Sequence, residues 1–322
     1  MTLLTRRLDP DIHAMLPLLD IRLAAPWTAQ SVRTAVSQPL GAQESAADDT
    51  VIVSEQMIGG APARVYRAGV APQPTILYLH GGGWVAGDLD SHDYIPRHIA
   101  RTVGAIVVSL DYALAPERPF PNGLTDCQNA LQAIASDIQA FGGDLRALAL
   151  AGDSAGANIV AAIALECRAS LPPLVAQLLI YPALDLTGRF ADPHVNRFYP
   201  SRASNAEGPL LRTALMAWFA EQYCSIAEAA TVHASPLRAP RLDGAPPAVI
   251  AVAQCDPLRD EGLAYARRLR DAGVETHVHE GVGLVHGYFR LTPKCAAASR
   301  EAENVVADFN RLIRARRGGD LP

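Results

Sequence analysis

Short apolar runs alternate along most of this chain with longer segments of helical periodicity, and this alternation limits the possible folds. Strand-like runs occur at 51–58, 63–68, 75–79, 105–110, 147–151, 176–181, 247–253 and 274–279. Helical patterns occur at about 91–102, 124–140, 155–169, 259–272 and 296–316. Strands that alternate with helices form a mostly parallel sheet with helices on both faces. We therefore expect an α/β fold built on a mostly parallel, eight-stranded central sheet.

Composition excludes several classes of protein. The chain has 322 residues, of which 49% are hydrophobic, so it can bury a large core. Its formal net charge of -5 comes without a basic stripe, which argues against a nucleic-acid partner. No stretch approaches the roughly 18 apolar residues of a membrane span, and the first residues lack the apolar core of a signal peptide.

The cysteines indicate a cellular compartment. There are five of them, widely scattered and without a Cys-x-x-Cys pair. An odd number of isolated cysteines favours free thiols over a disulfide framework or a zinc site. We expect a cytoplasmic protein that needs no metal.

Two segments do not follow the alternation of strands and helices, namely 1–50 and 186–235. The second contains an amphipathic helical pattern at 211–223. We expect these two segments to form a helical cap, and 51–185 with 236–322 to form the core. The aromatic residues of the amphipathic pattern, which we expect around an enclosed apolar pocket, are Trp218, Phe219 and Tyr223.

A glycine-flanked serine ends one of the apolar runs. The stretch that begins at Ala147 reads Ala-Leu-Ala-Leu-Ala-Gly-Asp-Ser-Ala-Gly, and a helical pattern follows it. Glycines at 152 and 156 allow a strand to turn sharply into a helix, which exposes Ser154 as a nucleophile. A Gly-x-Ser-x-Gly match arises by chance about once in ten such chains at average composition. The motif therefore needs chemical partners elsewhere in the chain.

A histidine and three glycines follow the run 75–79 and offer such a partner. Glycines at 81–83 leave backbone N–H groups without neighbouring side chains, so they can face a developing negative charge. We expect an oxyanion hole formed by the N–H groups of Gly81, Gly82 and Ala155. The ring of His80 is expected to brace this loop.

The same glycines also satisfy a competing motif. Gly81-x-Gly83-x-x-Ala86 matches the dinucleotide-binding fingerprint, and Asp111 stands where an acid would bind a ribose. That fingerprint requires a helix that begins within the glycines, whereas two aspartates and another glycine precede the next helical pattern. It also leaves Ser154 without a role.

A serine nucleophile requires a base and an acid later in the chain. His286 follows the last strand-like run in a glycine-lined apolar loop, which suits a neutral general base. Asp256 follows the run 247–253 and is the expected acid, whose role is to orient His286. Asp185 is the chief alternative. Among the other histidines, we expect surface or structural roles for His13, His92, His98, His194, His233, His277 and His279.

Together these motifs closely resemble the hormone-sensitive-lipase-like branch of the α/β-hydrolases, also called bacterial esterase family IV. The resemblance covers about residues 75–287. The matching stretches are His80-Gly-Gly-Gly-Trp-Val-Ala-Gly-Asp88, Tyr112-Ala-Leu-Ala-Pro-Glu-Arg-Pro-Phe-Pro121, Gly152-Asp-Ser-Ala-Gly-Ala-Asn158, Asp256-Pro-Leu-Arg-Asp-Glu-Gly262 and His286-Gly287. Ala157 is a departure, because the family usually has another glycine there.

The resemblance implies an α/β-hydrolase fold with a helical cap and a catalytic triad of Ser154, Asp256 and His286. It also implies hydrolysis of short to medium acyl esters without a cofactor. Amides, carbamates and lactones suit the same machinery. A non-catalytic ligand receptor of this fold would lack the histidine, so His286 argues against it. A homodimer through the last strand and helix, 274–279 and 296–316, is compatible with the resemblance.

Overall fold

The computed structural model describes residues 8–22, 25–38, 50–167, 174–292 and 294–317. It contains one eight-stranded sheet in the order β1-β2-β4-β3-β5-β6-β7-β8. The strands are β1 Ile52–Ile58, β2 Ala61–Arg67, β3 Gln73–Leu79, β4 Ile106–Leu110, β5 Gly143–Asp153, β6 Ala176–Ile180, β7 Ala248–Cys255 and β8 Thr276–Val285. Only β2 runs antiparallel to its neighbours, β1 and β4. The predicted mostly parallel sheet is thus confirmed.

Helices cover both faces of this sheet. They are α1 Pro10–Arg22, α2 Ala29–Ser37, α3 Tyr94–Val103, α4 Asn122–Ser136, α5 Ala155–Glu166, α6 Pro193–Asn196, α7 Ser201–Ser204, α8 Thr213–Tyr223, α9 Ile226–Ala229, α10 Arg259–Asp271 and α11 Ala296–Arg317. The segment 186–235, all of which the structure describes, contains short helices and no strand. The last residues of the predicted helix 155–169 lie outside the described residues.

The core consists of two apolar layers on opposite faces of the sheet. Every residue of β3 is buried, as is usual for a central strand of a parallel sheet. Successive side chains of this strand alternate between the layers: Leu77 and Leu79 belong to one, Ile76 and Tyr78 to the other. The strand ends that carry the predicted site therefore rest on a rigid, fully packed sheet.

The last strand is longer than the sequence pattern predicts. The pattern ends at 279, whereas β8 continues to Val285, where it pairs with Cys255 of β7. Gly281 pairs with Ala253, and a register shift between Ala253 and Cys255 accommodates the extra residues of β8, which include Gly283. As a result, residue 286 follows directly after the strand.

Glu261 lies in the first turn of α10, where it is buried instead of facing solvent. Its side chain is fully buried and forms an ion pair with Arg202, with 2.7 Å between Oε1 and Nη2. Its other oxygen accepts the backbone N–H groups of Leu184 and Asp185. These bonds attach α7, and the two residues that precede the segment 186–235, to α10.

The buried His98 on α3 should make the free energy of unfolding depend on pH. Burial, and secondarily the charge of Arg101, lowers the pKa of His98 from 6.5 to about 4. The unfolded chain therefore binds a proton at this position before the folded chain does. The stabilisation is complete above pH 6.5 and is lost as the pH falls towards 4. We expect the His98 contribution to fall by about 2 kcal/mol between pH 8 and pH 5.

Urea denaturation of the wild type and His98→Phe at pH 8 and pH 5 measures this contribution. The free energy of unfolding should depend less on pH in the variant. The matched control is His194→Phe, at an exposed histidine, which should keep the wild-type dependence. Equal pH dependence in the wild type and His98→Phe would show that His98 is protonated equally in both states.

Candidate active site

The turn between β5 and α5 exposes Ser154 in a strained backbone conformation. Its φ is 53° and its ψ is -116°, which is unusual for a residue with a side chain. The turn requires glycine at both flanking positions. A Cβ on Gly156 would lie 2.0 Å from the carbonyl oxygen of Leu79, and one on Gly152 would lie 2.7 Å from the carbonyl carbon of Gly156. The backbones are therefore too close together for side chains there.

The structure brings the three predicted residues Ser154, His286 and Asp256 together at the carboxyl ends of β5, β8 and β7. Ser154 Oγ lies 2.9 Å from His286 Nε2, and His286 Nδ1 lies 2.8 Å from Asp256 Oδ2. Asp256 is fully buried, and its Oδ1 accepts the N–H of Leu258 at 2.8 Å. The ring of Tyr181 packs on His286 with the ring centres 4.7 Å apart. This is the geometry of a serine nucleophile with an oriented base.

The alternative acid, Asp185, has other partners. It is buried and accepts hydrogen bonds from the N–H of Thr187 at 2.9 Å and from the hydroxyl of Tyr199 at 2.7 Å. It also lies opposite Arg238 at 3.8 Å. These contacts give Asp185 a structural role in the loop after β6.

The glycine loop differs from the prediction at one position. The N–H of Gly81 donates to Asp153 Oδ1 at 2.8 Å, so it is not available to bind an oxyanion. The expectation for Gly81 is therefore wrong. Gly82 and Gly83 line the same pocket as Ser154, and within the described part of the chain neither N–H makes a hydrogen bond. The sequence could not reveal this shift, because the acceptor ends β5, which is next to β3 in the sheet but far from it in sequence.

His80 braces the loop, as its position predicts. The ring is fully buried, with Nδ1 2.8 Å from the carbonyl oxygen of Gly81, and it stacks on Tyr112 at 4.5 Å. The Tyr112 hydroxyl donates to the His80 carbonyl at 2.6 Å. The first helix after the glycines begins at Tyr94, so the loop does not open a helix as dinucleotide binding requires.

A pocket that is partly open to solvent, with a cavity of about 80 Å³, lies beside Ser154. One wall is apolar, and its residues are Val36, Leu210, Leu211, Leu215, Met216 and Phe219. The other wall is polar, and its residues are His92, Asp153, Tyr181 and Arg290. Of the three aromatic residues that were expected around the pocket, only Phe219 lines it. Trp218 packs near Trp27 at 6.5 Å, and Tyr223 stacks on Trp84 at 4.6 Å.

Burial dominates the electrostatics of the polar wall. It raises the pKa of Asp153, against the opposing effect of the hydrogen bonds from Tyr78 and Gly81. It also holds the pKa of His92 well below 6.5, with Arg290 and His80 acting in the same direction. His92 is therefore neutral at pH 7.

Two further features of the molecule bear on what it can bind. Within the described residues, no helix is long and apolar enough to cross a membrane. The same residues include one group whose ligand atoms are close enough to hold a metal ion, formed by Asp9, Asp11 and Cys295. None of these three lines the pocket around Ser154.

The sheet order, the strained serine turn and the hydrogen-bonded Ser–His–Asp arrangement define an α/β-hydrolase. A family model described as alpha/beta hydrolase fold matches residues 76–290, and the chain belongs to this family.

Named relatives extend this finding. The chain is 37% identical to Esterase LipI of Mycobacterium tuberculosis over 308 residues, which is 92% of each chain. It is 39% identical to Carboxylesterase NlhH of the same species over 262 residues, which is 79% of each. A hyperthermophilic esterase from the archaeon Pyrobaculum calidifontis superposes with a TM-score of 0.85 at 33% identity, covering 96% of this chain and 98% of that one. The family and these relatives make the chain a carboxylic ester hydrolase.

The close packing of the glycine loop predicts the effect of one methyl group. Gly82 has a φ of 121°, and a Cβ there would lie 2.1 Å from the carbonyl oxygen of Ala86. Gly82→Ala must therefore displace the loop, and we expect kcat/KM for an ester to fall about 100-fold or more. Steady-state kinetics of the purified variant measure this loss.

Gly104→Ala is the matched control. Gly104 also has a positive φ, 70°, but it ends α3 and has open space around it. Its substitution should cost about 1 kcal/mol of stability and leave the kinetics unchanged. Wild-type kcat/KM in a folded Gly82→Ala protein would show that the loop conformation is not needed for catalysis.

Proposed function

We propose that the chain hydrolyses carboxylic esters of short to medium acyl length through an acyl-enzyme formed on Ser154. The observation that carries this proposal is the continuous hydrogen-bonded chain from Ser154 through His286 to Asp256, at 2.9 and 2.8 Å. Such a chain activates a hydroxyl that is otherwise a weak nucleophile at neutral pH.

Each residue has a defined role in the proposed reaction. Ser154 Oγ attacks the ester carbonyl carbon while His286 Nε2 takes the hydroxyl proton. Asp256 holds the proton on Nδ1 and stabilises the imidazolium without taking that proton. The alcohol leaves with the proton from His286. Water then attacks the acyl-enzyme with the same base, which releases the acid and restores Ser154.

The oxyanion needs backbone donors, for which we propose Gly82, Gly83 and Ala155. The first two line the pocket beside Ser154 and have no protein acceptor among the described residues. Ala155 is the first residue of α5, and N–H groups in a first helical turn have no acceptor within the helix. The charges that develop in both steps thus have protein partners, so the proposal includes no cofactor.

The pocket supports the proposed substrate size. Its cavity of about 80 Å³, with one wall of aliphatic and aromatic side chains, suits a small ester with a modest acyl chain. The apolar wall comes from α2, α8 and the loop before α8. We therefore propose that 1–50 and 186–235 act as a cap on a core of 51–185 and 236–322.

Two features support further parts of the proposal. All five cysteines are buried and outside disulfide bonds, which suits a reducing compartment, and we propose a cytoplasmic location. β8 is an edge strand of the sheet, and Val282 on it is 72% exposed. Edge strands offer unpaired backbone groups, so we propose β8 and α11 as the interface of a homodimer.

Removal of the nucleophile tests the function directly. A series of p-nitrophenyl esters from C2 to C12 should show the highest kcat/KM among the shorter chains. Ser154→Ala should reduce turnover by about 1,000-fold or more and abolish the burst of nitrophenol. Ser136→Ala, at the end of α4, is the control and should retain wild-type kinetics. Undiminished turnover in Ser154→Ala would overturn the proposed mechanism.

Two aspartates allow a matched test of the acid. Asp256→Asn should lower kcat by about 10,000-fold, because an amide favours the wrong tautomer of His286. Asp185→Asn should leave kcat of the folded protein near the wild-type value while lowering the free energy of unfolding by about 1–3 kcal/mol. Activity assays and urea denaturation of both variants separate these effects. Equal losses of kcat in the two variants would contradict the assignment of Asp256.

A further inference from the structure

The polar wall of the pocket contains a carboxylate oxygen that no hydrogen bond uses. Asp153 Oδ1 accepts the hydroxyl of Tyr78 at 2.6 Å and the N–H of Gly81 at 2.8 Å. No hydrogen bond to Oδ2 is found in the described part of the chain, and its nearest charged or ionisable partner is His92, whose Nε2 is 3.7 Å away. The side chain is only 3% exposed, and Asp153 lines the pocket beside Ser154. Oδ2 can therefore accept a hydrogen bond from a group that occupies the pocket.

His92 has a potential hydrogen-bond donor, Nε2, near Asp153 Oδ2. Its Nδ1 lies 3.0 Å from Ser91 Oγ, which already accepts the N–H of Asp88 at 2.9 Å. The Ser91 hydrogen is therefore available for His92 Nδ1, and the competing acceptor, the Asp88 carbonyl, is farther away at 3.2 Å. A neutral imidazole with an acceptor at Nδ1 carries its hydrogen on Nε2. This N–H faces Asp153 Oδ2, but 3.7 Å is too long for a direct hydrogen bond.

A group that accepts from His92 and donates to Asp153 would satisfy both atoms. A hydroxyl does so with one oxygen, whereas a methyl group would leave the carboxylate oxygen desolvated. The hydroxyl of Tyr181, which lines the same pocket, is buried and also has no partner among the described residues. The polar wall therefore offers hydrogen-bonding capacity beyond what the protein itself uses.

Resting on the proposed ester hydrolysis, we propose that Asp153 and His92 form a subsite for a hydroxyl group of the substrate. Asp153, His92 and Ser154 line one small pocket, so this hydroxyl belongs to the part of the substrate next to the ester group. The substrates that this subsite favours are esters of hydroxy acids or monoesters of diols. The apolar wall takes the rest of the molecule.

Pairs of esters in which a hydroxyl replaces a methyl group test the subsite. Ethyl lactate with ethyl isobutyrate, and ethyl 3-hydroxybutyrate with ethyl 3-methylbutyrate, place the hydroxyl on the acyl side. 2-Hydroxyethyl butyrate with propyl butyrate places it on the alcohol side. We expect the hydroxylated member of at least one pair to have a kcat/KM about 10-fold or more above its partner.

Substitutions at His92 show whether this preference arises in the proposed subsite. His92→Asn keeps a polar atom near Nδ1 but none near Nε2, so the ratio of the two kcat/KM values should fall about 10-fold. His92→Gln places an amide near Nε2 and should keep part of the preference. The ratio within a pair is the readout, because general damage to the enzyme affects both esters alike.

The outcomes separate this proposal from the function on which it rests. Equal kcat/KM within every pair for the wild type would mean that the polar wall holds water only, and it would overturn the subsite. An undiminished preference in His92→Asn would overturn it as well. In both cases, hydrolysis that disappears in Ser154→Ala would leave the proposed esterase function intact. Hydrolysis that survives in Ser154→Ala would overturn that function instead.

Discussion

The hydrogen bonds of Asp153 hold together the two loops from which the active site is built. This carboxylate belongs to the turn that exposes Ser154, and it accepts the N–H of Gly81 from the glycine loop after β3. The same oxygen accepts the hydroxyl of Tyr78, which fixes the carboxylate against the sheet. A Cβ on Gly81 would lie 2.5 Å from Asp153 Oδ2, so the two loops are in direct contact. The strained φ of Ser154 persists because neighbouring backbones leave the turn no other position.

A second set of buried polar contacts connects Asp256 to the segment 186–235. The side-chain amide of Asn205 donates to the backbone carbonyls of Gln254 and Asp256, at 3.2 and 3.0 Å. The ion pair between Arg202 and Glu261 lies in the same region and is fully buried. Removal of one partner of such a pair leaves an uncompensated charge and destabilises a protein strongly. Asn205 therefore links the segment 186–235 to the backbone of Asp256, and Arg202 links the same segment to α10.

The sequence predicted the sheet, the serine turn and the residues that the structure brings together around it. These predictions succeed because parallel strands end at one edge of a sheet, so motifs that follow strand-like runs must converge there. The hydrogen bond from the N–H of Gly81 to Asp153 could not be predicted, because Asp153 is close to Gly81 in space but distant in sequence. The burial of Glu261 could not be predicted either, because acidic residues are mostly exposed in folded proteins. The hydrophobic pattern also did not show which side of α8 faces the pocket. Phe219 lines the pocket, whereas Trp218 packs near Trp27.

The two walls of the pocket come from parts of the chain with different structural constraints. The polar residues Asp153 and Tyr181 lie at or directly after the ends of central strands, and His92 lies in the loop that follows the glycines. The residues of the apolar wall lie on α2, on α8 and in the loop before α8, outside the sheet. Substitutions in the apolar wall can therefore change the size of the pocket without moving the catalytic atoms. Substitutions in the polar wall act on the loops that position Ser154, so recognition of a polar substrate group there is coupled to the geometry of catalysis.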